Sequence, residues 1–309
     1  MNPTKLKERM RAISVWKRGT QRAPHKPLLL LYALGKCLRG EPRMISYAEV
    51  DRVLHDLLLE YGPERKSYHP EYPFWRLQND GIWELSTVEG LELRRGNTDA
   101  KRSELLKHGV AGGFTEEIFN LLCRNSHMIS ECALEILSQH FPSTLYEDIL
   151  DAVGLDLRLA QTLRRPRDPE FRVRVLRAYE YRCAVCGYDV RLGERELALE
   201  AAHIKWHEAG GPDTEPNGLA LCVLHHRLFD RNAFTLEAGV TISVSQFAHG
   251  TQGFSEWLLS FHGAPLRQPQ DPSFAPRGEF VKWHQREVFR SPARLSPKTD
   301  IEPVTGAAL

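Results

Sequence analysis

Apolar residues recur with helical spacing over most of the first half of the chain. Residues 4–18 are amphipathic and residues 27–40 are almost continuously apolar, which predicts a surface helix followed by a buried one. Ser46 and Glu49 have the spacing of a capping box, which predicts the start of a third helix. Residues 115–153 return to the helical pattern, so this half of the chain is predicted to be mainly helical.

Shorter patterns predict a few strands. Residues 73–78 and 81–86 contain aromatic residues and flank an Asn-Asp-Gly turn signal, which predicts a short β-hairpin. In the second half, apolar and polar residues alternate over 196–204 and 240–245, which predicts two further strands. Residues 279–290 have helical spacing and are expected to pack back on the core of this half.

The patterns together predict an α+β chain of two domains. We expect a mainly helical N-terminal domain with a short hairpin over residues 1–155 and a second folded domain over residues 171–290. The segment Arg-Arg-Pro-Arg-Asp-Pro falls in an expected linker over 156–170, and residues 291–309 have the composition of a disordered tail.

Charge is distributed unevenly although the net charge of the 309 residues is only +1. Residues 1–27 carry eight Lys or Arg against one acid, and residues 163–182 carry seven Arg against three acids. The acidic segment 125–157 has six acids and neither Lys nor Arg. Two DNA-facing surfaces separated by a solvated spacer would give this distribution, and ordinary patchiness of a protein surface would give it equally well.

The chain has no segment typical of membrane insertion or secretion. Its longest apolar run, around Pro27–Leu34, is far shorter than a membrane span, and its first residues lack the apolar region of a secretory signal. Cysteines occur at metal-binding spacing rather than as a disulfide ladder, which suits a reducing compartment. We therefore expect a cytoplasmic protein.

Two ligand pairs can close one tetrahedral zinc site. Cys183 and Cys186 form a C-x-x-C knuckle, and Cys222 and His225 form a C-x-x-H knuckle. Zinc favours four nitrogen or sulfur ligands, and paired knuckles supply them at the required reach. We expect these four residues to hold a structural zinc, as they would also do in a finger without any catalytic activity.

Three further polar residues lie around this pair of knuckles. His203 ends the alternating segment, Asn217 follows a Gly-Gly-Pro loop, and His226 comes directly after the zinc ligand His225. Adjacent residues on a helix point about a quarter-turn apart, so His226 can face a different site from His225. A single histidine is more often structural, but three polar residues spaced around a zinc clamp indicate a catalytic site.

The segment Phe171–Phe234 resembles the HNH endonucleases, through the motifs CxxC, AHI, NGLALC and CxxHHxLFD. The resemblance implies a strand–strand–helix fold and a metal-dependent nuclease. It also implies that His203 is the general base that deprotonates the attacking water and that His226 binds a catalytic Mg²⁺ or Mn²⁺ ion. Asn217 would orient His203 or the metal loop.

One position departs from the pattern of the wider superfamily. Many members carry Asp or His as a second metal ligand immediately before the general base, where this chain has Ala202. Glu200, on the same face of the predicted strand, or His207 could complete the metal shell. Alternatively, His226, water molecules and the DNA phosphate hold the ion.

The N-terminal half contains polar and aromatic residues that a helical core does not need. His25, Lys26 and Arg102 are candidate contacts to nucleic-acid phosphate, and Tyr72 and Pro73 form a small apolar surface that is expected to be exposed. A solvated basic face around a helical domain is the alternative interpretation.

The order of these stretches resembles the sulfur-binding domain of restriction endonucleases that act on phosphorothioate DNA, over most of residues 1–150. The resemblance implies double-stranded DNA in which sulfur replaces a non-bridging phosphate oxygen. Tyr72 and Pro73 would contact the sulfur, while the cations would contact the rest of the phosphate. Arg76 stands where relatives are expected to have a small residue, and it would either line the pocket or reach phosphate.

The sequence as a whole favours a modification-dependent DNA endonuclease, similar to type IV restriction enzymes. Because one HNH site cuts one strand, double-strand cleavage requires a homodimer or two visits to the DNA, and a homodimer is expected. The first alternative is an HNH nuclease specific for methylated or other modified bases, for which Trp75 and Trp83 could form the walls of a flipping pocket. The second alternative is a zinc-stapled DNA-binding protein without cleavage activity.

Overall fold

The computed structural model describes residues 2–15, 20–86, 89–94, 99–155, 169–237 and 240–295. Most of the expected linker, 156–170, and of the expected tail, 291–309, lies outside these residues. The domain boundaries therefore stay predictions. None of the helices within the described residues combines the length and apolar character that crossing a membrane requires.

The N-terminal half is mainly helical, as the sequence predicts. Its helices are α1 (Pro3–Arg11), α2 (His25–Leu38), α3 (Tyr47–Tyr61), α4 (Glu71–Arg76), α5 (Arg102–Lys107), α6 (Glu116–Arg124), α7 (Ser126–His140) and α8 (Tyr146–Ala152). Helix α2 lies at the centre, with α3, α4, α6 and α7 packed around it, and α1 packs on α7. Ser46 caps α3 by accepting a hydrogen bond from the Glu49 amide, which confirms the capping box at this end.

The predicted strand over residues 73–78 is wrong. These residues lie in α4 and in the 3-10 turn that follows it, because Phe74 and Leu77 are three residues apart and both turn into the core. Gly81 adopts a left-handed conformation, with φ of 66°, and ends the helical segment. The Asn-Asp-Gly signal thus marks the end of a helix, where a hairpin turn was expected.

The strands of this half form one small sheet instead of a local hairpin. They are β1 (Ile45–Ser46), β2 (Trp83–Leu85) and β3 (Ala111–Phe114), and the sheet order is β1-β3-β2. All pairings are antiparallel, with Trp83 opposite Phe114 and Ile45 opposite Gly112. The predicted strand at 81–86 is therefore confirmed, but its partner comes from farther along the chain.

The C-terminal half is built around a pair of antiparallel strands. Its elements are α9 (Pro169–Ala178), β4 (Arg191–Leu192), β5 (Arg195–Glu196), β6 (Leu199–His203), β7 (Gly218–Cys222), α10 (Val223–Asp230), β8 (Phe234–Glu237), β9 (Thr241–Val244), α11 (Gln252–Trp257) and α12 (Gly278–Glu287). Strands β6 and β7 pair in full register, with His203 opposite Gly218. A side chain at Gly218 would meet Val175 at 2.4 Å, so this glycine lets α9 pack closely on the strand end that carries His203.

Helix α12 packs on both halves of the chain. Phe280 and Val281 belong to the C-terminal core, as the sequence predicts. Trp283 and Val288 instead join the core of the N-terminal half, together with Trp206 from the loop after β6. The two halves therefore share a buried interface beside the strand that carries His203.

Candidate nuclease and DNA-reading sites

The four predicted zinc ligands lie together. The ligand atoms of Cys183, Cys186, Cys222 and His225 all lie within 4.8 Å of one another. His225 Nδ1 is 3.7 Å from Cys183 Sγ and 3.1 Å from Cys222 Sγ. A tetrahedral zinc with bonds of about 2.3 Å to sulfur and about 2.0 Å to nitrogen separates such atoms by roughly 3.5 Å. The cluster therefore has the right size for one zinc ion.

The surroundings of the cluster also suit a metal. His225 Nε2 lies 2.9 Å from the Trp257 carbonyl oxygen, a contact that fixes the ring with Nδ1 turned toward the sulfurs. Hydrogen bonds from Cys186 and Cys222 hold the pKa of Cys183 far below its usual value, so a thiolate ligand is available. The cluster is distinct from the polar residues described next, because His225 and His226 leave α10 in different directions.

His226 is buried between two carboxylates. Its Nδ1 lies 2.7 Å from Glu200 Oε2 and its Nε2 lies 3.2 Å from Asp230 Oδ2. Burial lowers the pKa of His226, but the charges and hydrogen bonds of Asp230 and Glu200 outweigh this effect and raise it to about 9. Glu200, which is one of the three alternatives for completing the metal shell, is thus in direct contact with His226.

His203 is held by a different carboxylate. Its Nε2 lies 2.7 Å from Asp213 Oδ1, and the same oxygen lies 3.2 Å from His207 Nδ1. The imidazole stacks on Phe171 of α9, with ring centroids 4.1 Å apart and planes 17° apart. Burial raises the pKa of Asp213, but the hydrogen bond and charge of His203 and the charge of His207 outweigh it and hold this pKa below its usual value.

His203, His207 and Asp213 form a second group of suitable size for a metal. The ligand atoms of His203, His207 and Asp213 lie within 4.8 Å of one another. An ion there would make His203 a ligand instead of a base. The alternative in which His207 belongs to a metal shell therefore stays open, and it involves Asp213 rather than His226.

Asn217 supports the loop between β6 and β7. Its Oδ1 accepts a hydrogen bond from the Lys205 amide, and its Nδ2 donates to the carbonyls of Lys205 and Pro212. The residue is fully buried. Of the two roles suggested by the resemblance, this geometry fits the one in which Asn217 orders the loop, including the segment that carries Asp213.

Sequence reasoning missed two carboxylates of this site. Asp213 follows the Gly-Gly-Pro segment, and Asp230 lies one helical turn after His226. The spacing of four between His226 and Asp230 was a usable signal for contact on one helix face. Asp213 had no such signal, because its contact with His203 depends on how the loop folds back.

His25 and Lys26, the candidate phosphate contacts on α2, are less available to bind phosphate than the sequence suggests. Lys26 Nζ forms a salt bridge of 2.5 Å with Asp80, and both side chains are largely buried. Burial, with the nearby charges of His69 and Arg65, lowers the pKa of His25 to about 4. His25 is therefore neutral at pH 7 and can offer a hydrogen bond but no charge.

Tyr72 and Pro73, the candidate apolar contacts to sulfur, lie on α4 and are buried to different degrees. Pro73 is buried in α4, so the expectation of an exposed aromatic-proline turn is wrong. Tyr72 is half-buried, and its ring lies 4.7 Å from the Arg76 guanidinium and 4.9 Å from that of Arg94. Arg76 also forms a bidentate pair with Asp99, so its charge is held beside the Tyr72 ring.

Arg102 opens onto a concave surface of the N-terminal half. Its side chain is 58% exposed, although its guanidinium pairs with Asp51 at 2.5 Å. The concavity has a volume of about 630 Å³ and is lined by Arg102 and by other residues of both charges, which include Arg52, Arg65 and Lys66. Arg52, Arg65 and Lys66 were not singled out from the sequence. Acidic residues lie among them, so they do not form a continuous basic segment that could have served as a signal.

A strand pair followed by a helix, with zinc-type knuckles and histidines on both the strand and the helix, defines an HNH endonuclease module. The HNH endonuclease family matches residues 183–237 of the chain. The ScoMcrA-like DNA sulfur-binding domain matches residues 3–158, about half of the chain, and the chain belongs to that family. The two modules expected from the sequence are thereby confirmed.

Several solved structures are similar to parts of the chain. The sulfur-binding domain of ScoMcrA complexed with phosphorothioated DNA is 24% identical, with a TM-score of 0.44, over 50% of this chain and 97% of that chain. The corresponding SprMcrA complex is also 24% identical, with a TM-score of 0.44, over 50% and 95%. The type IV phosphorothioation-dependent restriction endonuclease ScoMcrA is 23% identical, with a TM-score of 0.45, over 54% of this chain and 31% of that chain. Among curated proteins, no match was found.

Proposed function

We propose that the protein is an endonuclease that binds phosphorothioate-modified double-stranded DNA through its N-terminal half and hydrolyses nearby phosphodiester bonds at its HNH site. The observation that carries this proposal is the combination, in one chain, of a sulfur-binding domain with two histidines that are each oriented by a carboxylate. A zinc-stapled binding protein without cleavage activity would not need either carboxylate contact.

The catalytic roles follow from which nitrogen each carboxylate contacts. Asp213 accepts a hydrogen bond from His203 Nε2, which places the lone pair of the neutral ring on Nδ1. Nδ1 of His203 is then the atom that takes the proton of the attacking water. Phe171 fixes the ring plane by stacking, and Asn217 orders the loop that supplies Asp213.

Glu200 and His226 are the residues that we propose hold Mg²⁺ or Mn²⁺. An oxygen and a nitrogen donor face each other there, and Asp230 orients the ring from its opposite nitrogen, as outer carboxylates commonly do for metal-binding histidines. When bound, the ion supplies Lewis-acid stabilisation of the phosphate and of the leaving oxygen. The Cys183 cluster, by contrast, is proposed to hold Zn²⁺ with a structural role only.

The placement of the ion can be tested against the alternative group. Binding of Mn²⁺ to the full chain, followed by electron paramagnetic resonance, is expected to weaken strongly in His226→Ala and to persist in His207→Ala. The reverse result would place the ion at His203, His207 and Asp213 and would remove His203 from the role of base.

Recognition of sulfur needs an apolar contact together with cations. A buried sulfur gains only about 1 kcal/mol from apolar contact, so discrimination against oxygen must also come from hydrogen bonds that the oxygen form leaves unmade. We propose that Tyr72, which is half-buried, provides the apolar contact, while the buried Pro73 supports it from within α4. The exposed cations Arg102 and Lys66 would contact the phosphates, and Arg102 would do so beside its partner Asp51. Lys26, Arg65 and Arg76 are less exposed and are held in ion pairs, so they would mainly shape the surface.

A reader of modified bases stays the second candidate. Trp75 is half-buried and could still stack on a base. Trp83 is 2% exposed and lies between Phe74 and Phe114 in the core, so it is not available as a pocket wall. Because Trp83 cannot form a wall of a base-flipping pocket, the proposal that the protein recognises sulfur is favoured.

The proposal is tested with plasmids that differ only in phosphorothioate modification. Incubation with Mn²⁺ is expected to cut the modified plasmid and to leave the unmodified plasmid intact. A methylated plasmid without sulfur serves as the third arm. Equal cutting of the first two plasmids, or cutting of the methylated plasmid alone, would contradict the proposal. The expected homodimer is examined in the same preparation by light scattering.

A further inference from the structure

We propose that Thr144, in the N-terminal half, is a positioning residue of the nuclease site. Its hydroxyl holds Asp230, and Asp230 holds His226. This inference rests on the proposed function insofar as His226 is taken to bind the catalytic ion. It goes beyond that function because it makes the metal site depend on a residue from the DNA-reading half.

Asp230 occupies a buried position where the two halves meet. It is the last residue of α10 and is only 2% exposed. Its Oδ2 accepts a hydrogen bond from Thr144 Oγ1 and lies 3.2 Å from His226 Nε2. Its Oδ1 accepts a hydrogen bond from Trp206 Nε1 at 3.0 Å. Contacts on both oxygens fix the orientation of the carboxylate, and the carboxylate in turn fixes the His226 ring.

Thr144 is placed for this contact by a rigid connection. It is the middle residue of the 3-10 turn Ser143–Leu145 between α7 and α8, and Pro142 precedes the turn. Leu145 is buried in the N-terminal core, so the turn cannot shift without disturbing that core. The turn packs directly on α10.

The second donor to Asp230 also depends on the docking of the two halves. Trp206 belongs to the loop after β6, but its indole lies in the N-terminal core, where Arg22 stacks on it at 3.9 Å. Arg22 in turn donates to the Glu287 carbonyl of α12 and to the Tyr61 carbonyl of α3. One donor to Asp230, Thr144, therefore comes from the N-terminal half, and the other, Trp206, packs against the core of that half.

A carboxylate that orients a metal-binding histidine commonly contributes a factor of about 10 to 100 in metal affinity. Removing the Thr144 hydroxyl takes away the donor that holds Asp230 Oδ2 from the N-terminal half, which favours reorientation of the carboxylate relative to His226.

The test compares three variants of the full chain. Thr144→Val removes the hydroxyl at nearly constant volume, and Thr144→Ser retains it. Glu147→Gln is the matched control, because it weakens the exposed Glu147–Arg227 pair at the same interface without touching Asp230. Mn²⁺ affinity is measured without DNA by electron paramagnetic resonance, and cleavage of phosphorothioate DNA is measured over a range of Mn²⁺ concentrations.

Thr144→Val is expected to weaken Mn²⁺ binding by about 10-fold or more, whereas Thr144→Ser and Glu147→Gln stay within about 2-fold of the parent protein. Unchanged Mn²⁺ affinity in Thr144→Val, with or without a lower melting temperature, would show that Thr144 only contributes packing and would overturn the proposal. So would equal weakening in Thr144→Ser. If Thr144→Val does not fold, Thr144→Ala takes its place under the same criteria. If the parent protein binds Mn²⁺ but does not cut phosphorothioate DNA, the proposed function fails while the Thr144 comparison is still decided by Mn²⁺ binding.

Discussion

Asp213→Asn changes one oxygen contact of the proposed general base without changing the size of the side chain. In the protein as described, Asp213 Oδ1 lies 2.7 Å from His203 Nε2 and 3.2 Å from His207 Nδ1. An amide in this position cannot balance the positive charge that develops on His203 when it accepts a proton. The substitution should therefore slow the chemical step and leave DNA binding intact.

The size of the effect follows from the geometry. A hydrogen bond to a charged group contributes about 1.5–3 kcal/mol to the state in which it is made. Asp213 is 29% exposed, so solvent screens part of this contribution and a value of about 2 kcal/mol is appropriate. At about 1.36 kcal/mol per factor of ten, the rate should fall roughly 30-fold.

The assay is single-turnover cleavage of a phosphorothioate duplex by excess protein at saturating Mn²⁺. Asp189→Asn is the matched control, because Asp189 is an exposed carboxylate of the same half and lies 3.8 Å from Arg182. It should cut at the parental rate. The Mn²⁺ affinity of Asp213→Asn should also be parental, since Asp213 does not contact His226. Parental cutting by Asp213→Asn, together with an inactive His203→Ala protein, would refute the role of Asp213.

Three further changes have defined outcomes. Cys186→Ser is expected to lose the tightly bound zinc, seen by elemental analysis, and to unfold the C-terminal half; a folded, zinc-free variant would contradict the structural role. Burial lowers the pKa of His284 to about 3, so stability should be lost as pH falls from about 6.5 toward 3, by about 2 kcal/mol at pH 5. The free energy of unfolding of His284→Gln, measured with urea, should fall less at acid pH than that of the parent protein. An identical pH dependence of the two proteins would contradict this role of His284. Arg102→Gln should reduce the log–log salt slope of DNA binding by about 0.9, whereas a matching slope for Arg102→Gln and the exposed control Lys107→Gln would argue against a phosphate contact.

The clustering of the four zinc-type ligands and the different directions of His225 and His226 could be predicted because both depend on local spacing. Two knuckles specify four ligands, and adjacent residues of one helix must point in different directions. Strand β6 and the burial of α2 likewise followed from short patterns. These features require no knowledge of how distant segments pack.

The remaining parts of the site depend on contacts between distant segments. Asp213 reaches His203 only through the fold of the loop that Asn217 orders. Thr144 reaches Asp230 across 86 positions of the chain, between two halves that the sequence suggested were joined by a linker. The Asn-Asp-Gly signal indicated a reversal of the chain correctly, but it could not distinguish the end of a helix from a hairpin. Counting charges along the sequence also could not predict that Lys26 pairs with Asp80 or that Arg76 pairs with Asp99.

The central claim is that one sulfur atom in DNA directs cleavage by the His203 site. Two labelled duplexes that differ only in one phosphorothioate linkage test it most directly, with the parent protein and His203→Ala each incubated with Mn²⁺. The parent protein is expected to cut only the sulfur-containing duplex. His203→Ala is expected to bind that duplex with parental preference and not to cut it. Equal cutting of the two duplexes by the parent protein, or retained cutting by His203→Ala, would contradict the account.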